Sequence, residues 1–191
     1  MRVAAFLGSP RAGGNTDTLA AAVLEGAREA GCDIESHALR RLTIHPCTGC
    51  ERCWEDERPC VFADSAAELY GAIARADSLL FATPVYWYGP TAIMKAFIDR
   101  LVVFNRPQGR PLIEGKAAVL VSAWEEQGFE ASDPLVRLFE LSFRYLGLRF
   151  IDRLLVDGCG PKGAALQKPL ALKRAREIGR GLAGAVRTES G

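Results

Sequence analysis

The sequence predicts an α/β protein built on a doubly wound, five-stranded parallel sheet in a three-layer α/β/α sandwich. Three observations lead to this fold class. Short apolar runs alternate with longer amphipathic stretches, as repeated βα units do. All but the second run are almost continuously apolar, which is typical of strands covered by helices on both faces. The first run ends in a glycine-rich segment that leads directly into a helical pattern.

The predicted strands and helices alternate along the chain. Strands are expected at Val3–Leu7, Asp33–Ala38, Ser78–Ala82, Ala117–Ser122 and Phe150–Val156, and helices at Thr16–Ala30, Ser65–Ala76, Thr91–Phe104, Asp133–Leu146 and Ala164–Val186. Asp64 or Ser65, and Ser132, are expected N-caps, and Gly31 is placed to end the first helix in a left-handed conformation. In such a sheet a ligand binds beyond the carboxyl ends of the strands.

Length and charge narrow the possible functions. A chain of 191 residues can bury one full core, so we expect 1–191 to be a single domain with a cysteine-rich insertion at about 39–63. The net charge of +1 gives no field to attract nucleic acid or an acidic membrane. The first apolar run breaks at Gly8, too early for a signal peptide, and no stretch approaches the roughly 20 residues of a membrane span. We therefore expect a cytoplasmic protein.

The segment Gly8–Thr16, between the first strand and the first helix, has the composition of a phosphate-binding loop. A phosphate there would meet backbone N–H groups, the positive end of the helix dipole and the hydroxyls of Ser9 and Thr16. Arg11 adds paired donors that suit phosphate. The loop has neither the Gly-Lys-Ser/Thr ending of P-loop nucleotidases nor the Gly-x-Gly-x-x-Gly dinucleotide motif. A glycine-rich turn with an ordinary N-cap is the alternative interpretation.

The segment Thr83–Thr91, after the third strand, carries the consecutive aromatic residues Tyr86, Trp87 and Tyr88. Neighbouring side chains on a strand point to opposite sides, so this run is ill suited to a core strand. Aromatic faces with polar edges instead suit the wall of a site for a flat ring. A hydrophobic plug or a subunit contact is the alternative.

Both loops resemble those of the NADPH-dependent FMN reductases, a family with the flavodoxin-like fold. The resemblance lies in Gly8-Ser9-Pro10-Arg11 with Gly14-Asn15-Thr16, and in Pro84-Val85-Tyr86 with Lys95-x-Phe97-Ile98-Asp99-Arg100. Electron-carrier flavodoxins normally lack the arginine. The resemblance implies FMN contacts from Ser9, Arg11, Gly14, Asn15, Thr16, Pro84, Val85, Tyr86 and Trp87, and from Ala123 and Trp124 after the fourth strand. Lys95, Asp99 and Arg100 are interpreted as structural.

The implied function is electron transfer through FMN. In this family NAD(P)H reduces bound FMN by hydride transfer, and electrons pass to a quinone, a flavin or another acceptor. The flavin carries the chemistry, so no catalytic side chain is expected. The resemblance also implies a homodimer or homotetramer, in which Tyr86, Trp87, Tyr88 and Trp124 would help to build an interface.

Cysteines are concentrated in the insertion, at Cys47, Cys50, Cys53 and Cys60. In a reducing compartment such a cluster indicates metal, iron-sulfur or redox chemistry. The spacing resembles that of iron-sulfur flavoproteins, which implies a 4Fe-4S cluster and a second function, relaying electrons between a ferredoxin-like carrier and FMN. Zinc, and free or disulfide-forming thiols, remain alternatives, as does a non-enzymatic thiol or metal sensor. The isolated Cys32 and Cys159 are expected to be buried small residues.

Overall fold

The structure is a computed structural model that describes residues 1–55 and 59–185. Five strands alternate with five α-helices. The strands are β1 Arg2–Leu7, β2 Asp33–Ala38, β3 Ser78–Ala82, β4 Ala117–Ala123 and β5 Arg149–Val156, and the helices are α1 Asn15–Glu29, α2 Ala66–Arg75, α3 Ala92–Arg100, α4 Asp133–Leu146 and α5 Pro169–Gly184. The elements in this order confirm the predicted fold class.

The strands form a parallel sheet in the order β2-β1-β3-β4-β5. The chain runs outward from β1 to β2 and then crosses back to β3 on the other side of β1. This reversal places the switch point of the sheet between β1 and β3, where the loops after these strands diverge and leave a crevice. The loop Gly8–Thr16, here called the phosphate loop, and the loop Thr83–Thr91, here called the aromatic loop, therefore border the same crevice.

Apolar side chains form one core on each face of the sheet. On one face the phenylalanines of β1, β3, α3 and α4 pack together, namely Phe6, Phe81, Phe97, Phe139 and Phe143. On the other face α1 and α5 cover residues such as Val3, Leu80 and Val119. Burial on both faces explains why the central strands are almost continuously apolar.

Two glycines bring α1 and α5 into backbone contact. A Cβ at Gly26 would lie 2.1 Å from the Arg176 carbonyl oxygen, and one at Gly179 would lie 1.9 Å from that of Val23. Since no other residue type fits at these positions without moving a helix, they fix the position of α1 relative to α5.

Most predicted element boundaries lie within one residue of the observed ones, with two exceptions. The third helix ends as an α-helix at Arg100 and continues as a 3₁₀ turn over Leu101–Asn105. The last helix divides into a 3₁₀ turn at Ala164–Gln167 and an α-helix that begins at Pro169, because proline lacks the N–H needed inside a helix. Its predicted last residue, 186, lies outside the described residues.

The predicted helix ends have mixed outcomes. Gly31 is left-handed, with a φ of 83°, as predicted. Asp64 accepts a hydrogen bond from the Ala66 N–H at 3.1 Å. Ser65 and Ser132 occupy the N-cap positions of α2 and α4, as predicted, but neither makes a side-chain capping hydrogen bond. Ser132 instead donates its hydroxyl to the Phe129 carbonyl at 2.8 Å.

Candidate functional site

The loops after β1, β3, β4 and β5 meet at an open cleft of about 190 Å³. Ten of the eleven sequence-predicted cofactor residues line it: Ser9, Arg11, Gly14, Asn15, Thr16, Pro84, Val85, Tyr86, Ala123 and Trp124. The cleft also includes five residues that sequence reasoning missed, namely Glu125, Glu126, Cys159, Gly160 and Lys162. It lies at the carboxyl edge of the sheet, where ligands of doubly wound proteins bind.

The phosphate loop leaves β1 under tight spatial constraint. The Gly8 N–H donates to the Ala82 carbonyl at 2.7 Å, and a Cβ at Gly8 would approach Met94 to 2.9 Å. Ser9, only 4% exposed, accepts from the Arg11 N–H at 3.2 Å. The loop is therefore a fixed turn, and its close approach to β3 and α3 explains the glycine at position 8.

Helix α1 begins at the floor of the cleft with its first N–H groups available. The N-cap residue is Gly14, which has no side chain with which to cap the helix. The first intrahelical hydrogen bond of α1 runs from the Thr18 N–H to the Gly14 carbonyl at 2.9 Å. The N–H groups of residues 15–17 therefore have no partner within the helix. Thr16 is buried beside them at 3% exposure. This end of the helix suits an anion.

The side chains of Asp17 and Arg40 hold the phosphate loop in place. The Gly13 N–H donates to the Asp17 carboxylate at 3.0 Å, with Gly13 in a left-handed conformation at φ 62°. Arg40 pairs with the same carboxylate at 3.0 Å and donates to the Ser9 carbonyl at 3.3 Å. The loop geometry is thus supported by contacts with other residues of the described chain.

The aromatic loop contains a two-residue turn in an unusual conformation. Tyr86 and Gly89 exchange backbone hydrogen bonds at 2.8 and 3.1 Å. Between them Trp87 and Tyr88 have φ values of 48° and 63°, in the left-handed region that bulky residues seldom adopt. Such strain persists only where the surroundings impose it, and it is concentrated at functional sites.

The turn directs Trp87 away from the cleft. Trp87 is 95% exposed and lines a neighbouring groove with Val85, Tyr86, Tyr88, Glu126 and Ala131. Of the eleven residues predicted to contact the cofactor, Trp87 is therefore the one that the structure places outside the cleft. The physical reason is the tight turn, which places successive side chains on different sides.

Thr91 connects the aromatic loop to the phosphate loop. Its hydroxyl donates to the Gly8 carbonyl at 2.6 Å and accepts from the Met94 N–H at 3.4 Å, capping α3. The Thr91 N–H donates to the Thr83 hydroxyl at 3.2 Å. These buried bonds hold the two loops at a fixed separation across the crevice.

Trp124 forms part of the wall contributed by the loop after β4. It is 3% exposed, and its indole N–H donates to the Gly128 carbonyl at 3.0 Å. Its ring meets the edge of Phe129, with 5.8 Å between ring centroids. Because Trp124 is buried within its own chain, it offers almost no surface to another subunit.

The four clustered cysteines line a second, much smaller cavity of about 20 Å³, together with Phe62 and Arg100. That volume holds about one water molecule. Cys47 and Cys50 are exposed, while Cys53 is buried. Burial, and secondarily the proximity of Cys60, raise the pKa of the Cys53 thiol. Within residues 1–55 and 59–185, no three His, Cys, Asp or Glu side chains are arranged to hold a metal ion.

Arg100 joins the two ends of the cysteine-rich segment. This guanidinium is 1% exposed and donates to the His45 carbonyl at 2.9 Å, before the first cysteine, and to Asp64 at 2.9 and 3.1 Å, after the last one. It also donates to the Tyr70 hydroxyl at 3.1 Å. Arg106 supports the middle of the segment by donating to the Cys53 carbonyl at 3.2 Å. The structural role expected for Arg100 is thus to anchor this segment.

The ion pair sets the pKa values around Arg100. Burial alone would raise the pKa of Asp64, but hydrogen bonds from Arg100 and from the N–H groups of His45 and Ala66 outweigh it, so the pKa is lowered. Burial would lower the pKa of Arg100, and the hydrogen bond to Asp64 outweighs that effect. Burial raises the pKa of Tyr70 to about 12. Both members of the pair are therefore charged at neutral pH.

Fold and cleft together define a flavodoxin-like protein in which the glycine-rich loop before α1 lies beside an aromatic loop. The family model of the NADPH-dependent FMN reductases matches residues 1–170. The chain belongs to this family of oxidoreductases.

Similar proteins fall into two groups. The putative NAD(P)H-dependent FMN-containing oxidoreductase YwqN of Bacillus subtilis is 29% identical over 93% of this chain and 96% of its own length. An iron-sulfur flavoprotein of Archaeoglobus fulgidus is 34% identical over 116 residues, which cover 61% of this chain and only 51% of that protein. This chain thus matches about half of that iron-sulfur flavoprotein's length.

Solved structures agree with the fold. The Trp repressor binding protein of Bacillus subtilis has a TM-score of 0.71 at 26% identity, covering 92% of this chain and 99% of that one. The NAD(P)H:quinone oxidoreductase of Methanothermobacter marburgensis has a TM-score of 0.74 at 22% identity, covering 95% and 96%. Among the described residues, none of the helices has the length and apolar character needed to cross a membrane.

The buried ion pair leads to a prediction about stability and pH. Asp64→Asn leaves the Arg100 guanidinium buried without its counter-charge, so the free energy of unfolding at pH 7 should fall by about 3 kcal/mol. Folding lowers the pKa of Asp64, so the carboxylate stabilises the fold above its unfolded pKa of about 3.9. That contribution is lost as the pH falls through the lower, folded pKa. The difference between wild type and variant should therefore shrink in acid.

Urea unfolding from pH 7 downward measures this difference. The matched control is Asp99→Asn, which breaks the exposed pair with Lys95 at 2.7 Å and should cost no more than about 0.5 kcal/mol. Equal losses in the two variants, or a loss in Asp64→Asn that is independent of pH, would contradict the assignment.

Proposed function

We propose that this protein is an FMN-dependent oxidoreductase that transfers electrons from NAD(P)H through bound FMN to a quinone, a flavin or another small-molecule acceptor. The observation that carries the proposal is the start of α1, where uncapped N–H groups, Ser9 and Thr16 form an anion cradle in the same cleft as the aromatic loop. A phosphate and a flat ring are the two ends of FMN. The family match and the relative YwqN support the same conclusion.

The residues of the cleft fit this cofactor. Ser9, Thr16 and the first N–H groups of α1 would hold the phosphate, with Arg11 supplying positive charge at the rim. Val85 and Tyr86 on one side and Trp124 on the other would border the ring. When bound, FMN supplies the capacity to accept a hydride and pass on electrons. The chain contributes binding, orientation and exclusion of water.

The test is an anaerobic visible spectrum of the FMN-loaded protein before and after addition of NADPH or NADH. We expect the flavin absorbance to bleach at a rate that scales with protein concentration, because the cleft would hold FMN beside the nicotinamide. Free FMN at the same concentration is the control for uncatalysed reduction. A protein that binds FMN but leaves it oxidised with both nucleotides would defeat the reductase proposal.

A second candidate is an iron-sulfur flavoprotein that relays electrons from a ferredoxin-like carrier to FMN through a 4Fe-4S cluster. Its support is that Cys47, Cys50, Cys53 and Cys60 line one cavity, and that several relatives are named iron-sulfur flavoproteins. In the described geometry the cavity between these cysteines measures about 20 Å³, and burial raises the pKa of the Cys53 thiol. A cluster is bound by thiolates, so cluster binding would release protons.

Iron and acid-labile sulfide in anaerobically purified protein distinguish the two candidates. The relay predicts about four iron and about four sulfide ions per chain, which should be lost when Cys47 and Cys50 are changed to serine. Cys32→Ser is the control and should retain them, because Cys32 lies in the core beside α1. Protein that contains FMN but no iron after iron-sulfide reconstitution would exclude the relay. Stoichiometric zinc without flavin would instead favour a metal sensor.

We also propose that the protein acts in the cytoplasm as a homodimer or homotetramer. Tyr86, Trp87 and Tyr88 are 43%, 95% and 58% exposed, and Phe129 is 57% exposed. Large aromatic side chains at a surface are typical of subunit contacts. The strained turn would then serve to present Trp87 to a second copy of the chain next to the cleft.

A further inference from the structure

The side chain of Asn15 uses its full hydrogen-bonding capacity within the protein. Its amide NH₂ donates to the carbonyls of Cys159 and Pro161 at 2.7 and 2.8 Å. Its carbonyl oxygen accepts from the N–H groups of Gly163 and Ala165 at 3.0 and 3.1 Å. All four partners belong to one segment, 159–165, which follows β5.

This saturation changes the role expected for Asn15. A primary amide has two donor hydrogens and one carbonyl oxygen with two lone pairs, and each is occupied here. The side chain has no group left for a ligand, although Asn15 belongs to the first turn of α1 beneath the cleft. Asn15 instead fastens segment 159–165 to the phosphate loop, although Asn15 and Cys159 are 144 residues apart in the sequence.

The fastened segment carries Lys162 to the phosphate loop. The Lys162 ammonium donates to the Ala12 carbonyl at 3.0 Å, and a Cβ at Gly13 would lie 3.9 Å from it. Lys162 also lines the cleft together with Arg11. An ammonium group has three donors, so two remain for another acceptor. Nothing in the local sequence around Lys162 marks it as a phosphate ligand.

We propose that Lys162 is a second phosphate-binding cation of the FMN site, and that Asn15 is the residue that positions it. This inference rests on the proposed function, since it takes the FMN phosphate as the anion. The charge balance of the loop supports it, because the Asp17 carboxylate accepts from Gly13 and is already paired with Arg40. A dianion at the start of α1 then faces Arg11 and Lys162 from opposite loops.

The test measures the affinity of the apoprotein for FMN and for riboflavin, because these two ligands differ only in the phosphate. Lys162→Met should weaken FMN binding about tenfold, the loss of one charge-assisted hydrogen bond, and leave riboflavin affinity unchanged. Lys173→Met is the matched control, because it removes the same charge from an exposed position on α5. FMN affinity within twofold of wild type in Lys162→Met, or an equal loss for riboflavin, would overturn the role of Lys162.

The positioning role of Asn15 is tested by coupling. Asn15→Ala should weaken FMN binding, and adding Lys162→Met to it should cost less than about threefold further, because the lysine is no longer held in place. Glu25→Ala is the control in the same helix, because the exposed Glu25 carboxylate accepts from Arg176 of α5 at 2.8 Å and lies outside the phosphate loop. A full tenfold effect of Lys162→Met in both backgrounds would refute positioning by Asn15.

The same measurements separate this inference from the proposed function. Wild-type protein that binds neither FMN nor riboflavin would contradict both the proposed function and the role of Lys162. Wild-type protein that binds FMN normally, with no loss of affinity in Lys162→Met, would contradict the role of Lys162 alone. Circular dichroism of each variant verifies that a loss of affinity does not come from unfolding.

Discussion

The positive end of helix α1 is the feature on which the rest of the proposed site depends. An anion is stabilised there only if the first N–H groups stay uncapped and the helix cannot move. Backbone contact with α5 at Gly26 and Gly179 fixes the helix, and the Thr91 hydroxyl fixes the loop in front of it. Contacts within the chain therefore fix both the helix end and the loop that would meet the anion.

Around this fixed end, the chain gathers residues that are far apart in sequence. The sheet order sends the loops after β1 and β3 to either side of one crevice, and β4 and β5 extend it. Asn15 and Arg100 have similar structural roles. The side chain of each forms several hydrogen bonds that hold a long loop against a helix. One holds the rim of the cleft and the other holds the cysteine segment, so both loops depend on the hydrogen bonds of a single polar side chain.

The sequence could predict the fold and the phosphate loop from local patterns, and its resemblance to the FMN reductases extended the prediction to the ten cofactor residues that line the cleft. Apolar runs indicate buried strands, and a glycine-rich loop before a helix indicates an anion site. It could not place Trp87, whose direction depends on a left-handed turn between Tyr86 and Gly89 that local preference opposes. Nor could it find Lys162, which reaches the phosphate loop only through contacts formed by folding. The cysteine spacing likewise indicated four thiol ligands, but it could not predict that the cavity between them measures only about 20 Å³.

Binding of the FMN phosphate by the loop Gly8–Thr16 can be tested by the affinity of the double variant Arg11→Ala/Thr16→Ala for FMN. Both side chains line the cleft, and Thr16 lies in the first turn of α1. We expect FMN affinity to fall by about a hundredfold, one charge-assisted and one neutral hydrogen bond, while the thermal unfolding midpoint of the apoprotein stays close to that of wild type. Unchanged FMN affinity in the folded variant would show that this loop does not bind the phosphate.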